Sequence, residues 1–190
     1  FLLHAPRQTG KTTCLLALAD YLNLEGRYRA VYANIEAAQA ARERVEVGMA
    51  AVVQTIANGA RWSLQDENAQ TLARQVLQEQ AALVALEGFL TRWCEASPLP
   101  VVLLLDEVDA LVGDTLISLL RQLRAGYPKR PTQFPQTVIL CGVRDLRDYR
   151  IHASSESTVI TGGSAFNIKA KSLRLGDFNA AEVTALLQQH

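Results

Sequence analysis

The stretch that decides the fold reads Phe1-Leu2-Leu3-His4-Ala5-Pro6-Arg7-Gln8-Thr9-Gly10-Lys11-Thr12-Thr13. Its apolar beginning predicts the end of a buried strand. A polar turn with one glycine and one lysine follows, and leucines then recur at helical spacing, at Leu15, Leu18 and Leu22. The sequence therefore predicts a strand, a tight loop and a helix over residues 11–24.

The loop between this strand and helix resembles the Walker A phosphate loop, G-x-x-x-x-G-K-[ST]. In such a loop successive N–H groups point at phosphate oxygens, and the dipole of the following helix adds to the attraction. Gly10 permits close approach, Lys11 is the cation for the β- and γ-phosphates, and the Thr12 hydroxyl can ligate Mg²⁺. The predicted nucleotide-binding residues run through the loop into the helix: Ala5, Pro6, Arg7, Gln8, Thr9, Gly10, Lys11, Thr12 and Thr13. Ala5 replaces the first glycine of the pattern, and we expect it to be tolerated if the chain is extended there.

A second apolar run, over residues 101–105, leads directly into Asp106-Glu107. It is apolar on both faces, which is typical of a central parallel strand covered by helices on each side. The run and its two carboxylates look like a Walker B strand. Asp106 is then predicted to hold Mg²⁺, and Glu107 to polarise the attacking water as a general base. For Asp109 we expect a helix N-cap or a surface charge.

A third apolar run, over residues 137–143, ends in Arg144 and Asp145. If this strand lies beside the Walker B strand, Arg144 reaches the γ-phosphate and stabilises charge in phosphoryl transfer. The other interpretation is a solvated arginine paired with Asp145 or Asp148. Arg144 is therefore a candidate sensor of the third phosphate.

Strand-like and helix-like segments alternate along the rest of the chain. Further elements are predicted as a strand at 30–35, helices at 38–58, 66–95 and 114–125, a polar loop at 144–166, a strand at 169–175, and a final helix opened by Asn179 and Glu182. This order predicts an α/β fold, a three-layer αβα sandwich with a mostly parallel sheet. The helical insertion at 38–95 either covers the sheet or binds a partner.

The order of these motifs is similar to that of AAA-type ATPases, and more closely to that of STAND-like signalling ATPases of bacteria. Residues 173–182 look like the exit from the ATPase core, so that 176–190 begin a lid or linker. Residues 1–190 are then one P-loop ATPase domain, which we expect to be cut at both ends from a longer protein. A trans-acting arginine finger is expected after the sensor strand, where Arg147 and Arg150 stand, although many STAND proteins have none.

The resemblance implies that the domain binds ATP or ADP with Mg²⁺, hydrolyses ATP slowly and acts as a nucleotide-dependent conformational switch. It implies catalytic roles for Glu107, Lys11 and Arg144, metal ligation by Thr12 and Asp106, and a homo-oligomer or protein partner. The alternative is a regulatory or scaffold module that binds ATP or ADP without hydrolysing it. A small-molecule kinase is less favoured, because neither an acceptor pocket nor lid arginines can be identified.

Composition and charge narrow the remaining classes of function and location. Lys+Arg and Asp+Glu are equal at 19 each, and no apolar run approaches the roughly 20 residues of a membrane helix. Three scattered cysteines indicate buried thiols in a reducing, cytoplasmic compartment. Trp62 and Trp93 are predicted in the core or between helices. A basic cluster is either a nucleic-acid contact or, more often, a solvated face, and comprises Arg121, Arg124, Lys129 and Arg130.

Overall fold

The computed structural model describes residues 1–143, 171–176 and 178–188. Five parallel strands form one sheet in the order β2-β3-β4-β1-β5. They are β1 Leu2–His4, β2 Arg29–Asn34, β3 Val101–Asp106, β4 Thr137–Gly142 and β5 Ser172–Arg174. Strand β3, which ends in Asp106, is thus separated from β1 only by β4. All carboxyl ends meet at one edge, where ligands of such sheets bind.

Helices cover both faces of this sheet, which confirms the predicted three-layer α/β architecture. The helices are α1 Lys11–Glu25, α2 Val45–Leu64, α3 Glu67–Glu79, α4 Ala82–Glu95, α5 Gly113–Ala125 and α6 Ala180–Leu187. Helix α1 packs on one face, and α2 to α5 build the larger core on the other. Among the described residues, no helix is both long and apolar enough to cross a membrane.

Strand β3 is buried on both faces, which explains why polar and apolar residues do not alternate along it. Leu103 and Leu105 belong to the core beneath α2 to α5, whereas Val102 and Leu104 belong to the cluster beneath α1. Successive strand residues point to opposite faces, and both faces of this sheet are covered. Burial of each such side chain stabilises the fold by about 1.5–3 kcal/mol.

The predicted helix at 38–58 is wrong at both ends. A 3₁₀ helix occupies Glu36–Ala41, and α2 begins only at Val45. Arg42 separates the two with a φ of 50°, and its carbonyl accepts a hydrogen bond from Thr115 in α5 at 2.6 Å. This contact comes from an element 73 residues away, so local periodicity could not reveal it.

The single helix predicted at 66–95 is also wrong, because it is two helices. Gln80 and Ala81 are extended between α3 and α4. The buried side chain of Gln122 in α5 accepts hydrogen bonds from two N–H groups of α4 and donates one to a carbonyl there. A partner from another helix thus holds the first turns of α4, and the chain can bend before them.

Among the five tryptophans and cysteines predicted to be buried, two predictions fail and three hold. Trp93 is fully buried, but Trp62 is 90% exposed on the outer side of α2. Cys94 and Cys141 are buried, whereas Cys14 is exposed on α1. Each failure lies on the solvent side of a helix, where residue type alone does not determine burial.

Asp66 connects β2, α3 and α4 near the amino-terminal end of β2. Its carboxylate accepts hydrogen bonds from Arg29 at 2.8 Å and from the indole of Trp93 at 2.9 Å, and it caps α3 through the N–H of Ala69. Burial raises the pKa of Asp66, but the Trp93 hydrogen bond and the Arg29 charge outweigh burial and lower that pKa overall. The ionised carboxylate therefore stabilises the fold.

We expect Asp66→Asn to lower the free energy of unfolding by about 1.5 kcal/mol at pH 7, because a hydrogen-bonded charge is removed. Since the folded pKa is depressed, this contribution is present above the unfolded pKa of about 3.9 and is lost as the pH falls through the folded pKa. Urea denaturation at pH 7 measures the loss in free energy of unfolding, and the same experiment at pH 3 measures how much of that loss remains at low pH. The control is Glu67→Gln, an exposed ion-pair residue, which should cost at most about 0.5 kcal/mol. An equal loss for Asp66→Asn at both pH values would contradict the assignment.

Candidate functional site

The carboxyl ends of β1 and β3 bring the two predicted motifs together. The Thr12 hydroxyl donates to Oδ2 of Asp106 at 2.7 Å, across 94 residues of sequence. Asp106 is fully buried, and its Oδ1 accepts the N–H of Glu107 at 3.0 Å. The structure therefore places the hydroxyl and the carboxylate predicted for Mg²⁺ in direct contact.

Lys11 points back into its own loop. Its Nζ donates to the carbonyl oxygens of Ala5 at 3.0 Å and Pro6 at 2.7 Å, and the side chain is buried. An ammonium has three donors, so the loop holds Lys11 through two of them. Within the described residues, the N–H groups of Gln8 and Gly10 donate to no protein acceptor. Such free N–H groups before a helix are suited to an anion.

The backbone of the loop explains which positions need glycine. Gly10 has a φ of 79° and Gln8 a φ of 62°, whereas Ala5 is not among the residues with positive φ. A methyl group at Ala5 is therefore compatible with its conformation, and it is buried. This geometry accounts for alanine where the pattern has its first glycine.

A cavity of about 350 Å³ opens between the loop and the end of β3. Its lining comprises Arg7, Gln8, Thr9, Gly10, Lys11, Thr12, Thr13, Glu36 and Glu107. Residues 7–13 of the predicted phosphate loop and the predicted general base thus face one space, whereas Ala5 and Pro6 are not part of this lining. Glu36 was not anticipated, because it follows β2 and belongs to neither motif.

Glu107 has an unusual backbone and an unusual acidity. Its φ of 57° and ψ of 40° are left-handed, which costs a residue with a side chain about 1–2 kcal/mol. Burial, followed by the charges of Asp109 and Asp106, raises the pKa of Glu107 above its ordinary value. A higher pKa makes the carboxylate a stronger base. Strained backbone of this kind concentrates at functional sites.

Asp109 is neither the N-cap nor the surface charge that we expected. It lies inside a short 3₁₀ helix whose N-cap is Glu107. Its Oδ1 is buried and has no hydrogen-bond partner among the described residues. A Cβ on Gly142 would come within 2.7 Å of that oxygen, so Asp109 packs against the end of β4.

Two residues that sequence reasoning missed also reach Asp106. The Tyr32 hydroxyl donates to Oδ2 of Asp106 at 3.0 Å. The Cys141 thiol is buried, and burial together with the charge and hydrogen bonding of Asp106 raises its pKa, which keeps it protonated. The sequence does show Tyr32 as a residue with a polar group in an otherwise apolar strand. The face of the sheet to which its side chain points, however, depends on the register of the strands.

Some predicted residues lie outside the described part of the chain. They are Arg144, Asp145, Arg147, Asp148 and Arg150, together with the rest of the 144–166 loop. Strand β4 does lie between β1 and β3, as the sensor prediction requires. The role of Arg144 stays a prediction.

Two members of the basic cluster make contacts within the protein. Lys129 forms an ion pair with Glu87, and the guanidinium of Arg130 stacks on the ring of Tyr127 with 5.0 Å to its centroid. Lys129 and Arg130 are therefore already engaged within the protein, which disfavours the nucleic-acid interpretation of this surface.

Comparison with known families agrees with this geometry. A family model described as AAA domain matches residues 1–149. The chain belongs to the AAA domain family. This AAA domain is thus a nucleotide-binding domain of the AAA ATPase group, as the order of the motifs predicted. No curated protein matches its sequence.

Solved structures share the fold of this AAA domain. Cdc6p from Pyrobaculum aerophilum matches 98% of the chain, with a TM-score of 0.59 and 18% identity. A chain in the structure of Drosophila ORC bound to poly(dA/dT) DNA and Cdc6 matches 99%, with a TM-score of 0.56 and 12% identity. The AAA domain spans 41% and 27% of those chains, less than half of each. At these identities the likeness concerns the fold alone.

The donors in the cleft fit a nucleotide with Mg²⁺. A hydroxyl that donates to a carboxylate keeps its oxygen lone pairs available, as Thr12 does toward Asp106. Mg²⁺ prefers such oxygen ligands and keeps several of its waters. Thr12 and Asp106 would hold the metal, which when bound neutralises charge on the phosphates.

Proposed function

We propose that this AAA domain binds ATP with Mg²⁺ in the cleft between the loop and β3, hydrolyses it slowly and switches conformation with the state of the nucleotide. The observation that carries the proposal is the 2.7 Å contact between Thr12 and Asp106, beside a cavity that Lys11 and Glu107 both line. Cation, hydroxyl, carboxylate and base are groups that recur in proteins that transfer phosphoryl groups to water.

The chain's own residues would divide this work. Lys11 would exchange its bonds to the loop carbonyls for bonds to phosphate oxygens, joined by the free N–H groups of the loop. Glu107 would orient a water and take its proton, which its raised pKa favours. Arg144 is proposed to contact the γ-phosphate and so to report its presence.

A switch that reports the γ-phosphate needs a partner to receive the signal. We propose a second copy or another protein as that partner, in the manner of STAND-like ATPases. The Drosophila ORC structure contains both DNA and Cdc6. We do not extend DNA binding to this chain, because Lys129 and Arg130 are already engaged.

The competing function is a module that holds ATP or ADP without turnover. Measuring phosphate release from Mg-ATP by the full chain, beside calorimetric titration of Mg-ATP, separates the two. We expect saturable binding and a slow release of phosphate well above that of a protein-free control. Binding without release would favour the module, and no binding would refute both.

A further inference from the structure

Tyr32 reaches the site from a strand that carries neither motif. It lies on β2, paired in register with Leu104 of β3, two residues before Asp106. Its ring packs in the cluster beneath α1, on the same face of the sheet as Leu104. From there the hydroxyl donates to Oδ2 of Asp106 at 3.0 Å.

Oδ2 of Asp106 therefore has two side-chain donors from different elements. Thr12 belongs to the first turn of α1, next to the loop that phosphates must occupy. Tyr32 belongs to the sheet, so its position does not depend on the loop. Because one torsion rotates a carboxylate end, a donor anchored in the sheet keeps Asp106 oriented even when the loop rearranges around a ligand.

Packing alone does not account for the hydroxyl. A phenylalanine would fill the same apolar space beneath α1, but it would leave Oδ2 with one donor fewer in a fully buried position. The Tyr32 hydroxyl also makes a hydrogen bond to Asp106 that phenylalanine could not make.

We propose that Tyr32 is a positioning residue, which holds the Asp106 carboxylate in the orientation that supports Mg²⁺ beside a bound nucleotide. The inference rests on the proposed function and deepens it. Its consequence is specific: Tyr32 acts on the contribution of the metal to nucleotide affinity, and not on the contacts between the loop and the phosphates.

The experiment is calorimetric titration of ADP into the full chain, once with Mg²⁺ and once with EDTA. The ratio of the two dissociation constants is the enhancement by the metal. We expect Tyr32→Phe to reduce this ratio by about tenfold, the size of one hydrogen bond to a charged group, while affinity in EDTA stays within about twofold. The matched control is Tyr28→Phe, which removes a phenol hydroxyl from the same cluster but away from Asp106.

The outcomes are distinguishable. An unchanged metal enhancement in Tyr32→Phe overturns the inference and leaves the proposed function intact. An equal loss of affinity with and without Mg²⁺ also overturns it, because it would show a general effect on folding of the site. If the unsubstituted chain binds no nucleotide in either buffer, the proposed function fails and the inference fails with it.

Discussion

Lys11→Ala should abolish measurable binding of Mg-ATP, with a loss of at least about a hundredfold in affinity. Two or more charge-assisted hydrogen bonds to phosphate oxygens disappear, and each is worth about 1.5–3 kcal/mol. Arg7 also lines the cavity, but it is exposed to solvent, whereas Lys11 is buried, so its charge is less screened by water. Calorimetric titration of Mg-ATP into both proteins measures the loss.

The interpretation of that loss depends on a folded variant. In the unliganded protein Lys11 also bonds to the carbonyls of Ala5 and Pro6, so its removal changes the loop itself. Thermal denaturation of the variant without nucleotide should therefore be recorded beside the titration. The control is Lys171→Ala, an exposed lysine before β5, which should bind as the unsubstituted chain does. Undiminished binding by Lys11→Ala would remove the loop from the proposed mechanism.

Glu107→Gln should separate binding from hydrolysis. Glutamine keeps the shape of the side chain and its hydrogen-bonding reach, but it cannot accept the proton of the attacking water. A general base contributes roughly 10²- to 10⁴-fold, so we expect phosphate release to fall at least a hundredfold. Affinity for Mg-ATP should stay within about threefold, because the phosphates are held by the loop.

The backbone at Glu107 makes this substitution informative. Glutamate and glutamine at position 107 must adopt the same left-handed backbone conformation, so the backbone strain is the same in both proteins and only the charge changes. Phosphate release is measured under single-turnover conditions with protein in excess. The control is Glu46→Gln, an exposed glutamate on α2, which should leave release unchanged. Release at the original rate in Glu107→Gln would assign the base to another group, and Asp109 would be the next residue to replace.

The two predictions together decide between a switch and a static module. Loss of binding in Lys11→Ala with loss of turnover in Glu107→Gln is the pattern of an ATP-hydrolysing domain. Loss of binding in Lys11→Ala with no turnover in any protein is the pattern of a module that only holds the nucleotide. The Tyr32 hydroxyl bears on both cases, since metal-dependent affinity does not require hydrolysis.

The sequence by itself determined the features that short patterns encode. The order of strand, loop and helix around Gly10 and Lys11 follows from adjacent residues, and so does the apolar strand that ends in Asp106. Both are local in the chain and need no knowledge of distant partners. The α/β class follows from their alternation with helices, and the parallel sheet confirms it.

Only the tertiary structure decided where the chain bends and what else reaches the site. The break at Gln80 depends on Gln122, and the end of the 3₁₀ helix at Arg42 depends on Thr115, each from a distant helix. The bond between Tyr32 and Asp106 joins residues 74 positions apart. Such contacts are set by the register of β2 against β3 and by the packing of whole helices, which no local periodicity in the sequence contains.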